Sequence, residues 1–586
     1  MRDKLTGILS EHLLECKLLA TVGCLLVASI YGLRWRKRGH IRRIMEKERK
    51  RTEASMQFMK QAVEKFHKLN PGVDSGAILS LTLLELTEKL QDGSLSPECV
   101  LYSYVEKALE VNTSLNCVTE FLLDCEAQLK ELREKEEKGP LYGVPVSIKE
   151  HVGYKDHSST CGLVQYLDEV EEEDSVIVKV LKKQGAIVFA RTNVPQALLC
   201  HETSNPIYGH TVNPHNRAKG ASGSSGGEGA LIGGGGSIFG IGTDIGGSIR
   251  LPSSSCGISG FKPTSNRVSY HGVRPCIDGM TAVGTCSGPI ARDVDALVLS
   301  MKALLCDEMF RLDPSVPPIY FNEKIYSSTK PLRIGYYEED GYFQPHPGMR
   351  RVLLQTKHLL EDAGHKLIPF KPPRVEFAYE LFWKTLLGDK GETLADKFKN
   401  NIIDPNLEET ARLCFMPNVV KRILSYILWP IYPRISSAIY SSLGARSVKL
   451  LWKDQIAMQE YQTEFLTEWR KLNLDVILCP MVGPAFNIGY PGRLTAPLSY
   501  TLLFNLLNYP AGVVPVGSVT AEDEEELKHY RGYSNDPWDK LYKKAVEGGV
   551  GLPLSVQCVA LPHQDEQCLR LMKEVETLSG RRQERQ

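Results

Sequence analysis

Residues Gly220–Gly260 read GASGSSGGEGALIGGGGSIFGIGTDIGGSIRLPSSSCGISG, and the reading of this tract decides the fold. A run this rich in glycine and serine is ordinarily a flexible linker. That reading fails here, because Leu231, Ile232, Ile238, Phe239, Ile241, Ile245 and Ile249 are interleaved and Arg250 and Pro252 close the run. Glycine mixed with apolar residues of the buried type indicates backbone packed against backbone or against a ligand. The tract is therefore expected to form part of an active site within an ordered domain.

Its chemistry rests on Ser224 and Ser248, joined by Lys149 upstream. A serine hydroxyl is a poor nucleophile until a base takes its proton. A lysine can be that base when burial penalises the ammonium and lowers its pKa. Lys149 closes the β-like run Tyr142–Ile148 and is the only lysine or arginine between Lys138 and Lys155. Alone it would read as a surface residue at a strand end. Ile245-Gly246-Gly247-Ser248 supplies the second requirement: small residues in a tight turn let successive backbone N–H groups converge on an anion, here a tetrahedral oxyanion. Gly223–Gly227 matches the G-x-S-x-G elbow only by letter, since Arg217, Lys219 and Gly220 before it do not resemble a buried strand. Neither G-x-G-x-x-G nor G-x-x-x-x-G-K-[ST] occurs, so nucleotide binding is unsupported.

On these motifs the chain resembles the amidase signature family. The signature ends in D-x-G-x-S-[apolar]-R-x-P, here Asp244-Ile245-Gly246-Gly247-Ser248-Ile249-Arg250-Leu251-Pro252, and the G-V-P-V-S-[apolar]-K-[acid] motif is present as Gly143–Glu150. The resemblance extends over roughly 75–575, through Thr192-Asn193-Val194-Pro195-Gln196, Asn205-Pro206, Asn213-Pro214 and Pro510–Pro515. Stretches such as MFRLDPSVPP, HYRGY and VQCVALP are similar to membrane-bound members that cleave lipid amides. The resemblance implies a catalytic trio in which Ser248 is acylated, Lys149 is general base and proton source, and Ser224 relays the proton between them. It implies an oxyanion hole of the Ile245, Gly246, Gly247 and Ser248 N–H groups, and substrate contact at Leu198, Ser224 and this same turn. Asp244 and Arg250 would hold the loop in shape. No cofactor or metal is implied. The departures are Ser222 for a usual glycine, Leu199 and His201 for usual aromatics, and Ser555 for a usual glycine.

The 586 residues carry 70 Lys+Arg and 70 Asp+Glu, so no charge excess points to nucleic acid as a partner. Fifteen scattered cysteines without C-x-x-C argue against a disulfide framework or a zinc site, and for a reducing compartment. Leu18–Leu33 is uncharged and is followed by Arg34, Arg36, Lys37, Arg38, Arg42 and Arg43. This predicts an N-terminal transmembrane helix within residues 1–40, with the basic end and the body cytosolic. A cleaved signal peptide fits the basic flank less well. Residues 41–74 predict a charged amphipathic helix with Met56, Met59, Val63 and Phe66 on one face, ended by Asn70-Pro71-Gly72.

The segment from Ala411 to Lys453 contains no acid, but it carries Arg412, Lys421, Arg422, Arg434, Arg446, Lys449 and Lys453 among many apolar and aromatic side chains. Pro430 and Pro433 predict two short helices. Such a segment reads either as a core helix pair with solvated lysines or as an interfacial membrane helix. The resemblance favours the second, a membrane-binding cap over 411–440. One catalytic domain over 75–578 is expected, since no repeat or long linker divides it.

Strand-like runs at Val144–Ile148, Ala186–Ala190, Leu332–Tyr336, Val476–Cys479 and Gly512–Val516 alternate with helical stretches such as Met349–Ala363, which predicts α/β. The resemblance implies a mixed central β-sheet covered by helices. It also implies hydrolysis of fatty-acid amides (N-acylethanolamines such as anandamide, primary amides such as oleamide), an endoplasmic-reticulum membrane and a homodimer. The alternatives are an amidase of small soluble amides on the same fold and an inactive lipid-binding scaffold.

Overall fold

The computed structural model describes residues 2–134, 137–399 and 401–583, the side chains of 2–16, of much of 18–37 and of 581–583 excepted. The chain divides into two compact units, 1–51 and 52–586. The first is helical, and the helix recorded over Arg2–Leu69 ends just before Asn70-Pro71. The unit boundary therefore falls inside the stretch expected as one segment over 41–74. Met59, Val63 and Phe66 belong to the second unit, where they join a core with Leu101, Val105 and Phe121. The expected N-terminal span lies for the most part on residues whose side chains are outside the described set. Among the described residues, no helix is long and apolar enough to cross a membrane.

Among the described residues, the second unit has thirteen strands. They are β1 (Val118–Phe121), β2 (Pro145–Lys149), β3 (Ile187–Thr192), β4 (Ser204–Asn205), β5 (Gly209–His210), β6 (Phe239–Asp244), β7 (Ser259–Lys262), β8 (Cys286–Ala291), β9 (Arg333–Tyr336), β10 (Lys366–Pro369), β11 (Val476–Pro480), β12 (Ala511–Ser518) and β13 (Pro553–Val559). Strands β4 and β5 form a small hairpin; the others form one mixed sheet in the order β1-β3-β2-β6-β8-β7-β12-β13-β11-β9-β10. All five strand-like runs of the sequence are strands within it. The helix expected over Met349–Ala363 is Pro347–Asp362, started by a proline at its first position.

The centre of the sheet places the site. Strand β2 runs parallel to both neighbours, pairing Lys149 with Thr192 of β3 and Ser147 with Gly240 of β6. Parallel strands end at the same edge, so the last residues of β2 and β6, Lys149 and Asp244, emerge side by side, where ligands gather in open α/β sheets. The Gly/Ser tract supplies β6, the helix Gly226–Gly233 before it and the helix Arg250–Ser255 after it. It is packed throughout and is not a linker. At Gly227 a Cβ would lie 2.2 Å from the backbone N of Asn193 and 2.6 Å from its O, closer than any real contact.

The acid-free segment holds the end of the helix Glu408–Phe415, the two short helices Asn418–Leu428 and Pro433–Ser441 on either side of the proline break, and the start of Val448–Lys471. The break at Trp429–Tyr432 falls where Pro430 and Pro433 remove N–H donors. Val419, Ile423, Tyr426, Ile427, Trp429 and Ile431 are each more than half exposed. Two of its seven basic side chains are not solvated. Lys421 is buried with Nζ donating to the Ser442 carbonyl (3.2 Å), and Arg434 is buried with Nε donating to Asp536 Oδ2 (2.8 Å).

Replacing Gly227 by alanine is expected to lower stability by about 1–3 kcal/mol, the usual cost of forcing an extra methyl into a packed interior. Chemical denaturation of the variant checks this; an unchanged midpoint would mean that the helix can move away from Asn193 freely.

Candidate active site

Lys149 is fully buried. Its Nζ lies 2.8 Å from Ser224 Oγ and 2.9 Å from Thr243 Oγ1. Burial brings its pKa down to about 7, against the opposing pull of the Asp244 carboxylate. A large fraction of the amine is thus neutral near pH 7 and has a lone pair to offer. Ser224 follows a cis Gly223–Ser224 bond and is itself buried. The N–H of Ser225 donates to the Ser248 carbonyl (3.1 Å), which ties the two serine-bearing segments together. Ser248 is half-buried and faces open space.

The turn after β6 is held by one buried carboxylate. Asp244 accepts from the N–H groups of Gly247 (2.8 Å) and Ile249 (3.0 Å), from Arg250 Nε (3.1 Å) and from Asn505 Nδ2 (2.9 Å). Arg250 also donates to the side chains of Gln557 (2.7 Å) and Asn505 (2.6 Å). Burial would raise the Asp244 pKa, but the Arg250 guanidinium and these donors hold it well below the usual carboxylate range. Gly247 sits at φ +131°, and a Cβ there would lie 2.5 Å from Thr501 Oγ1, so the turn requires glycine. Of the four N–H groups expected to converge, that of Gly247 is committed to Asp244. Those of Ile245, Gly246 and Ser248 have no acceptor among the described residues.

Two cavities meet at Ser248. The first runs from Ile245, Gly246 and Ser248 past Phe382 and Trp383 to Leu413 and Ala438 of the cap helices. Its walls are mostly aliphatic and aromatic. The second is lined by Thr243, Tyr270, Gln462, Asn505 and Asn508. Leu198, Ile245 and Ser248 line both. Leu198 holds a left-handed φ of +59°. Leu199 and His201 line the first cavity, Ser222 lies two residues from Ser224, and Ser555 lies in β13 away from both cavities.

Sequence reasoning missed the polar layer beneath the trio. Thr243 Oγ1 bridges Lys149 Nζ and His151 Nε2 (2.9 Å). Glu228 accepts from Ser147 Oγ (2.6 Å) and Thr192 Oγ1 (2.8 Å), and burial pushes its pKa up to about 7. The signal for Thr243 and Thr192 was their place at the ends of strands flanking the lysine strand. For Glu228 and His151 the sequence offered none beyond proximity to the motifs.

A mixed α/β sheet that brings a buried amine, two serine-bearing loops and free N–H donors to one edge defines a class of hydrolytic enzyme. The comparisons give the family: a model described as Amidase matches residues 99–569. The chain is 49% identical over 558 residues, 95% of its length, to "Fatty-acid amide hydrolase 1" of Sus scrofa, covering 96% of that protein. It is 54% identical over 423 residues, 72% of its length, to "Vitamin D3 hydroxylase-associated protein" of Gallus gallus, covering 91% of it. The solved structure "Fatty acid amide hydrolase" superposes with a TM-score of 0.77 at 25% identity, over 92% of this chain and 95% of that one. The chain belongs to the amidase signature family and is an amide-hydrolysing enzyme with that family's α/β fold.

Asp244→Asn is expected to destabilise the protein by about 3–5 kcal/mol, because it leaves the buried Arg250 guanidinium without a counter-charge. A thermal melt in which the variant unfolds with the wild type would show that Asn505 and Gln557 suffice to hold the arginine.

Proposed function

We propose that the enzyme hydrolyses fatty-acid amides, N-acylethanolamines such as anandamide and primary amides such as oleamide, at a membrane surface. The observation that carries this reading is the apolar cavity, which joins Ser248 to the exposed apolar helices Asn418–Leu428 and Pro433–Ser441. Each methylene taken from water into such a cavity contributes about 0.8 kcal/mol, so a long acyl chain outcompetes a small soluble amide by a wide margin. The names of the relative from Sus scrofa and of the superposable structure point the same way. The exposed Val419, Ile423, Tyr426, Ile427 and Trp429 suit an interfacial surface from which a lipid could enter. The N-terminal basic flank and uncharged run would add a second attachment. The endoplasmic reticulum and a homodimer rest on family resemblance alone.

In the proposed reaction, neutral Lys149 draws the proton of Ser224, which draws that of Ser248. Ser248 Oγ attacks the amide carbon. The carbonyl oxygen becomes an oxyanion facing the N–H groups of Ile245, Gly246 and Ser248. The proton returns from Lys149 through Ser224 to the nitrogen, the C–N bond breaks, and the amine leaves. Water then cleaves the acyl-enzyme to fatty acid and free Ser248. Return of the proton matters most for amines, which are poor leaving groups until protonated.

Membranes bearing the wild type should release fatty acid from oleamide, and membranes bearing Ser248→Ala should not. No release by either would favour a small-amide amidase or a lipid-binding scaffold; release by both would place the nucleophile elsewhere. For the wild type, amide kcat/KM should rise as pH increases through about 7, because the base works only when neutral. Lys149→Ala should slow amide cleavage far more than ester cleavage; equal losses would count against its role as proton donor.

A further inference from the structure

His151 lies two residues beyond Lys149, fully buried and outside both cavities. Its Nδ1 is 2.7 Å from the Arg274 carbonyl oxygen and its Nε2 is 2.9 Å from Thr243 Oγ1. The backbone reinforces the placement: Arg274 N–H donates to the His151 carbonyl (3.0 Å), and Val152 bridges Val273. A carbonyl oxygen only accepts, so Nδ1 carries the ring proton. Burial keeps the ring neutral. Nε2 is then an acceptor, and the single proton of the Thr243 hydroxyl is given to it.

This commitment has a consequence one bond further on. A hydroxyl with its proton on His151 has only lone pairs left for Lys149, so it accepts an N–H from Nζ at 2.9 Å. A neutral amine has two N–H groups and one lone pair. Were Thr243 free to donate, its proton could cap that lone pair and leave Lys149 facing Ser224 with N–H alone. With Thr243 held as an acceptor, the lone pair remains available to Ser224 Oγ at 2.8 Å.

We infer that His151 is a positioning residue for amide hydrolysis, which acts through Thr243 to keep the Lys149 lone pair directed at Ser224. The inference rests on the reading of Lys149 as the base. His151 touches neither substrate nor reacting atoms; it sets the direction of one hydrogen-bond chain, Arg274 O···H–Nδ1 His151 Nε2···H–Oγ1 Thr243···H–Nζ Lys149.

The test compares oleamide with methyl oleate as substrates of the full-length enzyme. His151→Leu should lower amide kcat/KM by about tenfold or more while ester kcat/KM falls less than about threefold, in line with the loss of part of a general acid–base contribution. His151→Gln keeps an acceptor for Thr243 and a donor for Arg274, and should restore the amide rate to within about threefold. Thr243→Val should show the amide-selective loss, and adding His151→Leu to it should cost nothing more, since the two act in series. A wild-type amide-to-ester ratio in His151→Leu, a Gln variant as impaired as the Leu variant, or additive losses in the double variant would overturn the inference. If His151→Leu does not fold, Thr243→Val and His151→Gln decide: an unchanged ratio in the first, or an amide-selective loss in the second, overturns it. Lys149→Ala, run alongside, separates the two claims, because absence of an amide-selective loss there sinks the base assignment itself, whereas its presence with no effect at His151 or Thr243 sinks only the positioning role.

Discussion

The amine of Lys149, buried without a carboxylate partner at the end of a parallel strand, is the constraint on which the rest of the site depends. An ammonium in that position would lack water and lack a direct counter-charge, so burial favours the neutral form. The anion that opposes this most, Asp244, is engaged by Arg250 and by the backbone of its own turn. Its charge is therefore largely satisfied and only partly opposes the shift. Had Asp244 been free to pair with Lys149, the lysine would have stayed protonated.

The same carboxylate shapes the other half of the site. By taking the N–H groups of Gly247 and Ile249, Asp244 curls the turn so that those of Ile245, Gly246 and Ser248 are left over. One buried ion pair thus serves both to insulate the amine and to orient the donors. Around this polar knot the sheet provides rigidity, and the two cavities give it directions. One is apolar and leads to the exposed helices; the other is lined by more polar groups. On the proposed reading, acyl chain and amine part company at Ser248, each toward the side whose surface suits it.

Much of this was legible in the chain. The interleaved isoleucines announced a packed tract, and the packing at Gly227 is the physical form of that reading. The five strand-like runs are strands because β-branched and aliphatic residues at those positions fill both faces of a buried sheet. In the acid-free segment the proline break was recognisable, and the helices Asn418–Leu428 and Pro433–Ser441 flank it, but the ends of two further helices, Glu408–Phe415 and Val448–Lys471, went unread. The segment's charge was read less well: Lys421 turns inward onto the Ser442 carbonyl of the same segment, and Arg434 onto Asp536, 102 residues away in sequence. The hydrophobic face of Met59, Val63 and Phe66 was visible as a helical stripe, but the place where one compact unit gives way to the next, at residue 51, had no mark in composition.

By itself the sequence determined the residue types of the candidate site, Lys149, Ser224 and Ser248, and the local turns and strands that present them, since these depend on neighbours a few residues away. Tertiary structure alone decided their spacing, the hold of Asn505 and Gln557 on the Asp244–Arg250 pair, the His151–Thr243–Lys149 chain and the course of the cavities. Those features join groups tens to hundreds of residues apart, as in the 94-residue separation of Lys149 and Thr243. Hydrogen-bond direction and the loss of water around a charge depend on what surrounds a group in space, and that is set only when the parallel strands align and their ends meet.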